Sequence, residues 1–134
     1  MATKQIMALD YGDVRVGVAL ADAQVKIALP HTTLDNNEQL LTNILKITLE
    51  NDIDLIVVGY PRNQSGEPTE QTHKVEAFVK KLREIYDGEI NFKDESLTSV
   101  LAEERLKSYK KPYAKADIDA YAAAIILEDY LEGR

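Results

Sequence analysis

The sequence predicts an α/β fold: a mixed five-stranded sheet, three antiparallel strands plus two parallel strands, flanked by helices. Three observations predict it. The first 30 residues hold three short apolar runs separated by tight turns. Apolar residues then recur at helical spacing from Leu40, and Leu55-Ile-Val-Val-Gly59 is an unbroken, mostly β-branched run of the kind buried on both faces of a sheet.

Each element follows in order. Ile6-Met-Ala-Leu-Asp10 is an apolar run ending in Asp-Tyr-Gly, a strand meeting a turn. Val14, Val16, Val18 and Leu20 alternate with Arg15, Gly17 and Ala19, the period of a second strand. Asp22-Ala-Gln is the next turn, and Val25 to Leu29 read as a third strand closing at Pro30. Turns this short make an antiparallel meander. Leu40, Leu41, Ile44, Leu45, Thr48 and Leu49 then place one apolar helical stripe on a core. After the Leu55–Gly59 strand, a loop rich in Pro, Asn, Ser and Gly runs from Tyr60 to Pro68. Val75, Phe78, Val79, Leu82 and Ile85 mark a second helix, and Asp87-Gly88 turns into a fifth strand, Ile90 to Lys93. Thr98 or Ser99 caps a further helix that ends before Pro112. A last helix covers Asp117 to Leu131; its middle, Ala-Tyr-Ala-Ala-Ala-Ile-Ile-Leu, is apolar on nearly every face and is expected to be buried on more than one side. The order βββ-α-β-α-β-α-α, with helical crossovers to the parallel strands, is the ribonuclease H-like arrangement.

At 134 residues the chain reads as one domain, 1–134, large enough to fold without a metal or a disulfide. A hydrophobic content of 45% against 29% charged residues excludes a disordered or fibrous chain. The absence of cysteine excludes disulfide frameworks, thiolate zinc sites and cysteine nucleophiles. The longest apolar run, Ala120 to Leu127, falls short of the ~20 residues that span a bilayer. The N-terminus also carries no apolar stretch of signal type. The expectation is a soluble, cytoplasmic protein with no membrane partner.

A formal net charge of −7 argues against coating nucleic acid by electrostatics alone. Charge placement is uneven, however. From Arg105 to Ala116 there are five bases (Arg105, Lys107, Lys110, Lys111, Lys115), two tyrosines and no acid. Bases interleaved with aromatics suit a phosphate backbone and a base face. A solvated helix end would account for the same stretch.

Three acids stand where a site could form. Asp10 ends the first strand, Glu95 follows the fifth, and Asp119 lies in the first turns of the last helix. Strand ends distant in sequence can open onto one sheet edge, where ligands gather in such folds. Asp119 shares a helix face with Ala122, Ala123 and Ile126, so its carboxylate needs a positive partner: Lys115, Arg15 or a divalent cation. Three converging carboxylates without a histidine cluster suit Mg²⁺ or Mn²⁺, the ions of phosphodiester hydrolysis. By spacing alone, ordinary roles stand beside this one: Asp10 as a turn residue, Asp117 or Asp119 as a capping charge, Glu95 beside Asp94 as a solvated strand end. Gly12 and Gly17 do not form a phosphate-binding loop, and His31 and His73 lack metal-pair spacing.

Four blocks in order carry a family resemblance: Asp10-Tyr-Gly-Asp-Val-Arg15-Val-Gly17 through Asp22, Val57-Val-Gly59-Tyr-Pro61-Arg-Asn63-Gln-Ser-Gly66, Asp94-Glu95-Ser-Leu-Thr98 through Leu106, and Lys115-Ala-Asp-Ile-Asp119 through Leu127. Together they resemble the YqgF (RuvX-like) family of the ribonuclease H-like superfamily, over nearly the whole chain. Three positions depart from the family pattern: Val14 where a base is common, Leu101 where an acid is common, and Arg62 in place of an apolar residue.

The resemblance implies Asp10, Glu95 and Asp119 as the catalytic carboxylates that bind Mg²⁺ or Mn²⁺, with Asp119 preferred over Asp117. It implies a nuclease associated with maturation of precursor 16S ribosomal RNA, with ribosomal particles as an expected partner. Some relatives are regarded instead as resolvases of four-way DNA junctions, a reaction suited to a homodimer rather than a monomer. Arg15, Asn63 and Lys115 are the expected ligands for phosphate or acids, and Lys107, Lys110 and Lys111 the expected contacts to an RNA backbone. A binding module that kept the fold without catalysis is the rival of another class, although such a module gains nothing from clustered acids near phosphate.

Overall fold

The apolar alternation at the start of the chain folds as the expected meander. Strands β1 (Gln5–Tyr11), β2 (Arg15–Asp22) and β3 (Ala28–Asp35) pair antiparallel in chain order. The computed structural model describes residues 4–62, 65–95, 104–105, 107–108 and 115–133. Strand β4 (Leu55–Pro61) adds parallel to β1, and β5 (Glu89–Glu95) parallel to β4, giving the order β3-β2-β1-β4-β5. The mixed five-stranded sheet is the one the sequence predicts. Helices α1 (Leu40–Glu50), α2 (Glu70–Ile85) and α3 (Lys115–Leu131) flank it, and residues 104, 105, 107 and 108 are helical. The predicted cap at Thr98 or Ser99 and the stop before Pro112 lie outside the described residues. Among the described residues, no helix is long and apolar enough to cross a membrane.

Strand alternation divides the core into two layers. Met7, Leu9, Val16, Val18, Ile56 and Val58 face α1 and α2, packing on Ile44, Ile47, Val75, Phe78 and Leu82. Ile6, Ala8, Ala19, Ala21, Leu55 and Val57 face α3, whose Ala123, Ala124, Ile126 and Leu127 cover them. Seven residues of α3 between Ala120 and Leu127 are buried, as its all-round apolar sequence predicts.

Two expectations need correction. The third strand is not Val25–Leu29 but Ala28–Asp35, and it runs through Pro30 instead of closing there. β3 lies at the sheet edge, where a missing N–H costs no ladder bond, and the register shifts at Val18/Ala19 opposite Pro30. Residues 23–25 instead form a turn: Asp22 Oδ1 accepts from the Gln24 N–H at 2.8 Å, and Lys26 is left-handed at φ 60°. The helical stripe on α1 holds except at one margin, where Ile47 replaces Leu49. Leu40, Ile44, Ile47 and Thr48 are buried while Leu49 is 79% exposed. Thr48 can point inward because its hydroxyl donates to the Leu45 carbonyl at 2.6 Å.

Helix α2 begins five residues before its first apolar marker because a capping box sets its start. The Thr69 hydroxyl accepts from the Thr72 N–H, and the Thr72 hydroxyl accepts from the Thr69 N–H. The fully buried Thr72 hydroxyl also donates to the Pro61 carbonyl, tying the helix to the end of β4.

The closest approach in the fold is backbone to backbone. A Cβ at Gly17 would lie 1.9 Å from the carbonyl oxygen of Asp119, so α3 rests directly on β2 and only glycine fits between them. Gly17→Ala must push the helix away from the sheet; we expect a loss of ~3 kcal/mol or more in chemical denaturation, at the upper end for overpacking.

At the opposite end of the sheet, the Tyr86 hydroxyl donates to the Ile53 carbonyl at 3.0 Å. Burial, then the nearby Asp54 carboxylate, raises its pKa above the ordinary tyrosine value. The folded pKa exceeds the unfolded one, so this contribution is fully present below about pH 10 and is lost as pH rises through the folded value. Tyr86→Phe should cost about 1 kcal/mol at neutral pH. The variant should also show less loss of stability above pH 10 in denaturation series.

Candidate functional site

Asp10, Arg15 and Asp119 are brought together by the approach of α3 at Gly17. Gly17 is the cross-strand partner of Asp10 on one side and of Thr33 on the other. Thr33 donates its hydroxyl to the Ala116 carbonyl at 2.5 Å, anchoring the first turn of α3 over β3. The Asp119 backbone therefore sits on the strand directly beside Asp10, which occupies the face of β1 that also carries Ile6 and Ala8. Paired strand positions lie about 4.5–5.5 Å apart, so the two acids share one end of the sheet.

The positive partner that Asp119 requires is Arg15. Its Nε donates to Asp119 Oδ2 at 2.6 Å, a charge-assisted bond between side chains that are 31% and 22% exposed. Arg15 reaches it from the first residue of β2, two positions before Gly17 and hence on the same face. Asp117 lies exposed in the first turn of α3, the ordinary place for a dipole-compensating charge. Lys115 is exposed in that same turn, where a cation opposes the helix dipole, and i,i+4 spacing puts it on the Asp119 side of the helix.

Glu95 ends β5 and is paired with Pro61 at the end of β4. β1, β4 and β5 are mutually parallel, so the backbone of Glu95 lies at the same sheet edge as Asp10; its side chain lies outside what the structure describes. Its neighbour Asp94 is engaged: Arg62 forms an ion pair with it and stacks over the Tyr60 ring, 5.5 Å from the centroid. The departure at Arg62 thus clamps the β4 loop to β5. Among the described residues, no three potential metal ligands form a group. The acids that are described at this edge, Asp10 and Asp119, offer oxygen donors only, the donor chemistry of a hard divalent cation.

Of the predicted phosphate contacts, Asn63, Lys110 and Lys111 lie outside the described residues. Lys107 is exposed in the short helical stretch. Arg105, from the same basic run, is paired with Glu128 of α3 at 3.3 Å, and the hydrogen bond to that carboxylate raises its pKa. Sequence reasoning also missed a contact that anchors the β1–β2 turn. Lys74 of α2 donates to Asp13 in the β1–β2 turn at 3.2 Å, and this bond raises the lysine pKa. The partners are 61 residues apart, and no local pattern signals them.

Comparison with known proteins supplies the remaining findings. A family model described as RuvX, Holliday junction resolvase, matches residues 4–133. A candidate pre-16S rRNA nuclease of Fusobacterium nucleatum is 40% identical over 134 residues, covering 96% of this chain and 97% of that protein. One from Chloroflexus aurantiacus is 39% identical over 133 residues, covering 96% and 87%. Among solved structures, Thermus thermophilus RuvC in complex with a Holliday junction substrate superposes with a TM-score of 0.62 at 12% identity, over 98% of this chain and 95% of that one. That likeness shows the same fold.

The half-buried Arg15–Asp119 pair should be energetically coupled. A double-mutant cycle of Arg15→Gln and Asp119→Asn is expected to give about 1 kcal/mol, near the upper end for partly exposed pairs. Molar salt should reduce that coupling less than it reduces the coupling of the exposed Lys4–Glu89 pair.

Proposed function

This chain belongs to the RuvX family, and from that premise we propose that it is a metal-dependent nuclease that hydrolyses phosphodiester bonds in precursor 16S ribosomal RNA. The observation that carries the proposal is the contact at Gly17. It sets Asp119 beside Asp10 at the edge where the parallel strands end, with Arg15 bonded to Asp119.

Asp10, Glu95 and Asp119 would hold Mg²⁺ or Mn²⁺. When bound, such an ion activates water and supports the leaving oxygen. The chain's own residues do the positioning. Arg15 fixes the rotamer of Asp119 and neutralises one carboxylate at an edge that must receive a phosphate. Lys115 adds a cation at the start of α3, within the same end of the molecule. Asn63, Lys107, Lys110 and Lys111 complete the proposed substrate contacts. Contacts of this kind set the register of the RNA backbone, while RNA shape selects the cleavage site. A working place in the cytoplasm, on ribosomal particles, fits this reading.

A second reading, cleavage of four-way DNA junctions, is favoured by the family description and by the RuvC-like fold. It uses the same carboxylates and calls for a homodimer that makes paired cuts.

One assay separates these readings. Labelled pre-16S 5′-leader RNA and a four-way DNA junction are incubated with Mg²⁺ or Mn²⁺ and either wild type or Asp10→Asn. We expect the RNA to be cut by wild type. Asp10→Asn should be slower by more than about 100-fold, beyond the usual loss of an outer-shell partner. Cutting of the junction alone would transfer the function to DNA. Binding of either substrate without cutting would leave only the non-catalytic module.

A further inference from the structure

We propose that a cavity on the other face of β1 from Asp10 receives one unstacked nucleotide of the substrate strand; this rests on the nuclease reading and extends it. The cavity is about 380 Å³, within the ~300–1,000 Å³ of small-ligand pockets, and lies between the N-terminal end of α1 and the middle of α2.

Its position follows from strand alternation. Tyr11 is the residue after Asp10, with Cα atoms about 3.8 Å apart, and its side chain belongs to the α1–α2 layer while Asp10 belongs to the α3 layer. A strand whose phosphate lies at Asp10 and which passes over the end of β1 brings its next nucleotide to the Tyr11 side.

The lining has the chemistry of a nucleotide. Tyr11, half-buried and packed on the core residue Phe78 with centroids 4.5 Å apart and planes tilted by 30°, presents the aromatic surface for a base. Asn36 donates its amide to the Gly12 carbonyl at 2.7 Å, which leaves its oxygen as an acceptor. Asn37 accepts the Gln39 N–H at 2.9 Å, which leaves its NH₂ as a donor. Together they present the mixed donor and acceptor edge that a base can read. Glu38, the one acid among the lining residues, offers an acceptor for a sugar hydroxyl or an exocyclic amine.

Two lysines line the cavity two helical turns apart on α2, and they differ in commitment. Lys74 is bonded to Asp13. Lys81 is exposed and forms no ion pair among the described residues, so it is the cation available to a phosphate. One cation suits one nucleotide, whereas the basic grooves that track long backbones carry many.

The test uses adenosine 5′-monophosphate and a short single-stranded RNA, with the full chain and no divalent ion, so that binding is read apart from cleavage. The nucleotide should shift the backbone amide resonances of residues 36–41 and 74–81 and should compete with the RNA. Lys81→Glu should weaken both ligands by about tenfold, the scale of one charge-assisted hydrogen bond. Lys81→Arg should restore them, and Lys80→Glu, an equal charge change on the neighbouring residue outside the lining, should leave them unchanged.

The proposal falls if the nucleotide moves no resonance in those segments, or if Lys80→Glu weakens binding as much as Lys81→Glu. Nucleotide binding that leaves RNA affinity untouched would also overturn it, assigning the cavity to a free nucleotide. RNA that binds as expected yet is never cut with Mg²⁺ or Mn²⁺ would overturn the nuclease reading and leave the site standing. RNA that is cut by a protein indifferent to the nucleotide would do the reverse.

Discussion

The contact on which the rest of the molecule depends is the seating of α3 against β2 at Gly17. A helix ordinarily stands off a sheet by the depth of two side-chain layers. Here the sheet face beneath it carries Ala8, Ala19 and Ala21 around a glycine, and the helix answers with Ala123 and Ala124. The small residues let the helix backbone descend until the Asp119 peptide touches the strand. That descent leaves the Asp119 side chain 22% exposed, and a partly desolvated carboxylate is better held with a cationic partner than alone. Arg15, two residues from Gly17 on the same strand face, supplies the compensation. One short segment of β2 therefore sets both the height of the helix and the charge balance of the acid it delivers.

Local chemistry made much of this legible. The strand and helix periods identified the meander, the buried β4 run and the all-round burial of α3, because each is written in residues a few positions apart. The requirement that Asp119 meet a cation was also legible, since it follows from the helix face the residue occupies. Which cation meets it was not: Arg15 lies 104 residues away, and three candidates satisfied the same rule. The third strand was misplaced for a related reason. Val25, Ile27 and Leu29 have the apolar character of a strand, yet all three are exposed. Pro30 reads as a stop unless the strand is known to lie at an edge, and edge position belongs to the sheet order rather than to the segment. The α1 stripe held at Leu40, Ile44 and Thr48 and erred only at its margin, with Leu49 assigned inward and Ile47 left out.

The distribution of charge gives the site a second constraint. With a net charge of −7, the protein as a whole repels a polyanion, and several of its bases are already paired internally: Arg15 with Asp119, Arg62 with Asp94, Lys74 with Asp13, Arg105 with Glu128. These pairs join elements distant in sequence, tying turn to helix, loop to strand and the short helical stretch to α3. Bases that read in the sequence as a surface for phosphate are in part the fasteners of the site. Long-range steering cannot then supply much of the binding, and the burden falls on contacts made after the strand has arrived.

This bears on why carboxylates and a phosphodiester can share one sheet edge at all. Asp10 and Asp119 at one sheet edge, with Glu95 proposed beside them, would create a local potential hostile to phosphate, and a single arginine offsets only one of those charges. A divalent ion held there would reverse the sign of the edge as well as supply the chemistry, so affinity for the substrate and reactivity toward it would rise together as the ion binds. Contacts that do not depend on the ion must then draw on something other than charge. The far face of β1 offers this: Tyr11 belongs to the α1–α2 layer while Asp10 belongs to the α3 layer, and a ring binds a base by stacking, which needs no cation. A chain of net negative charge can hold a polyanion in this way, by dividing the work between the proposed metal-binding edge and a base-binding face.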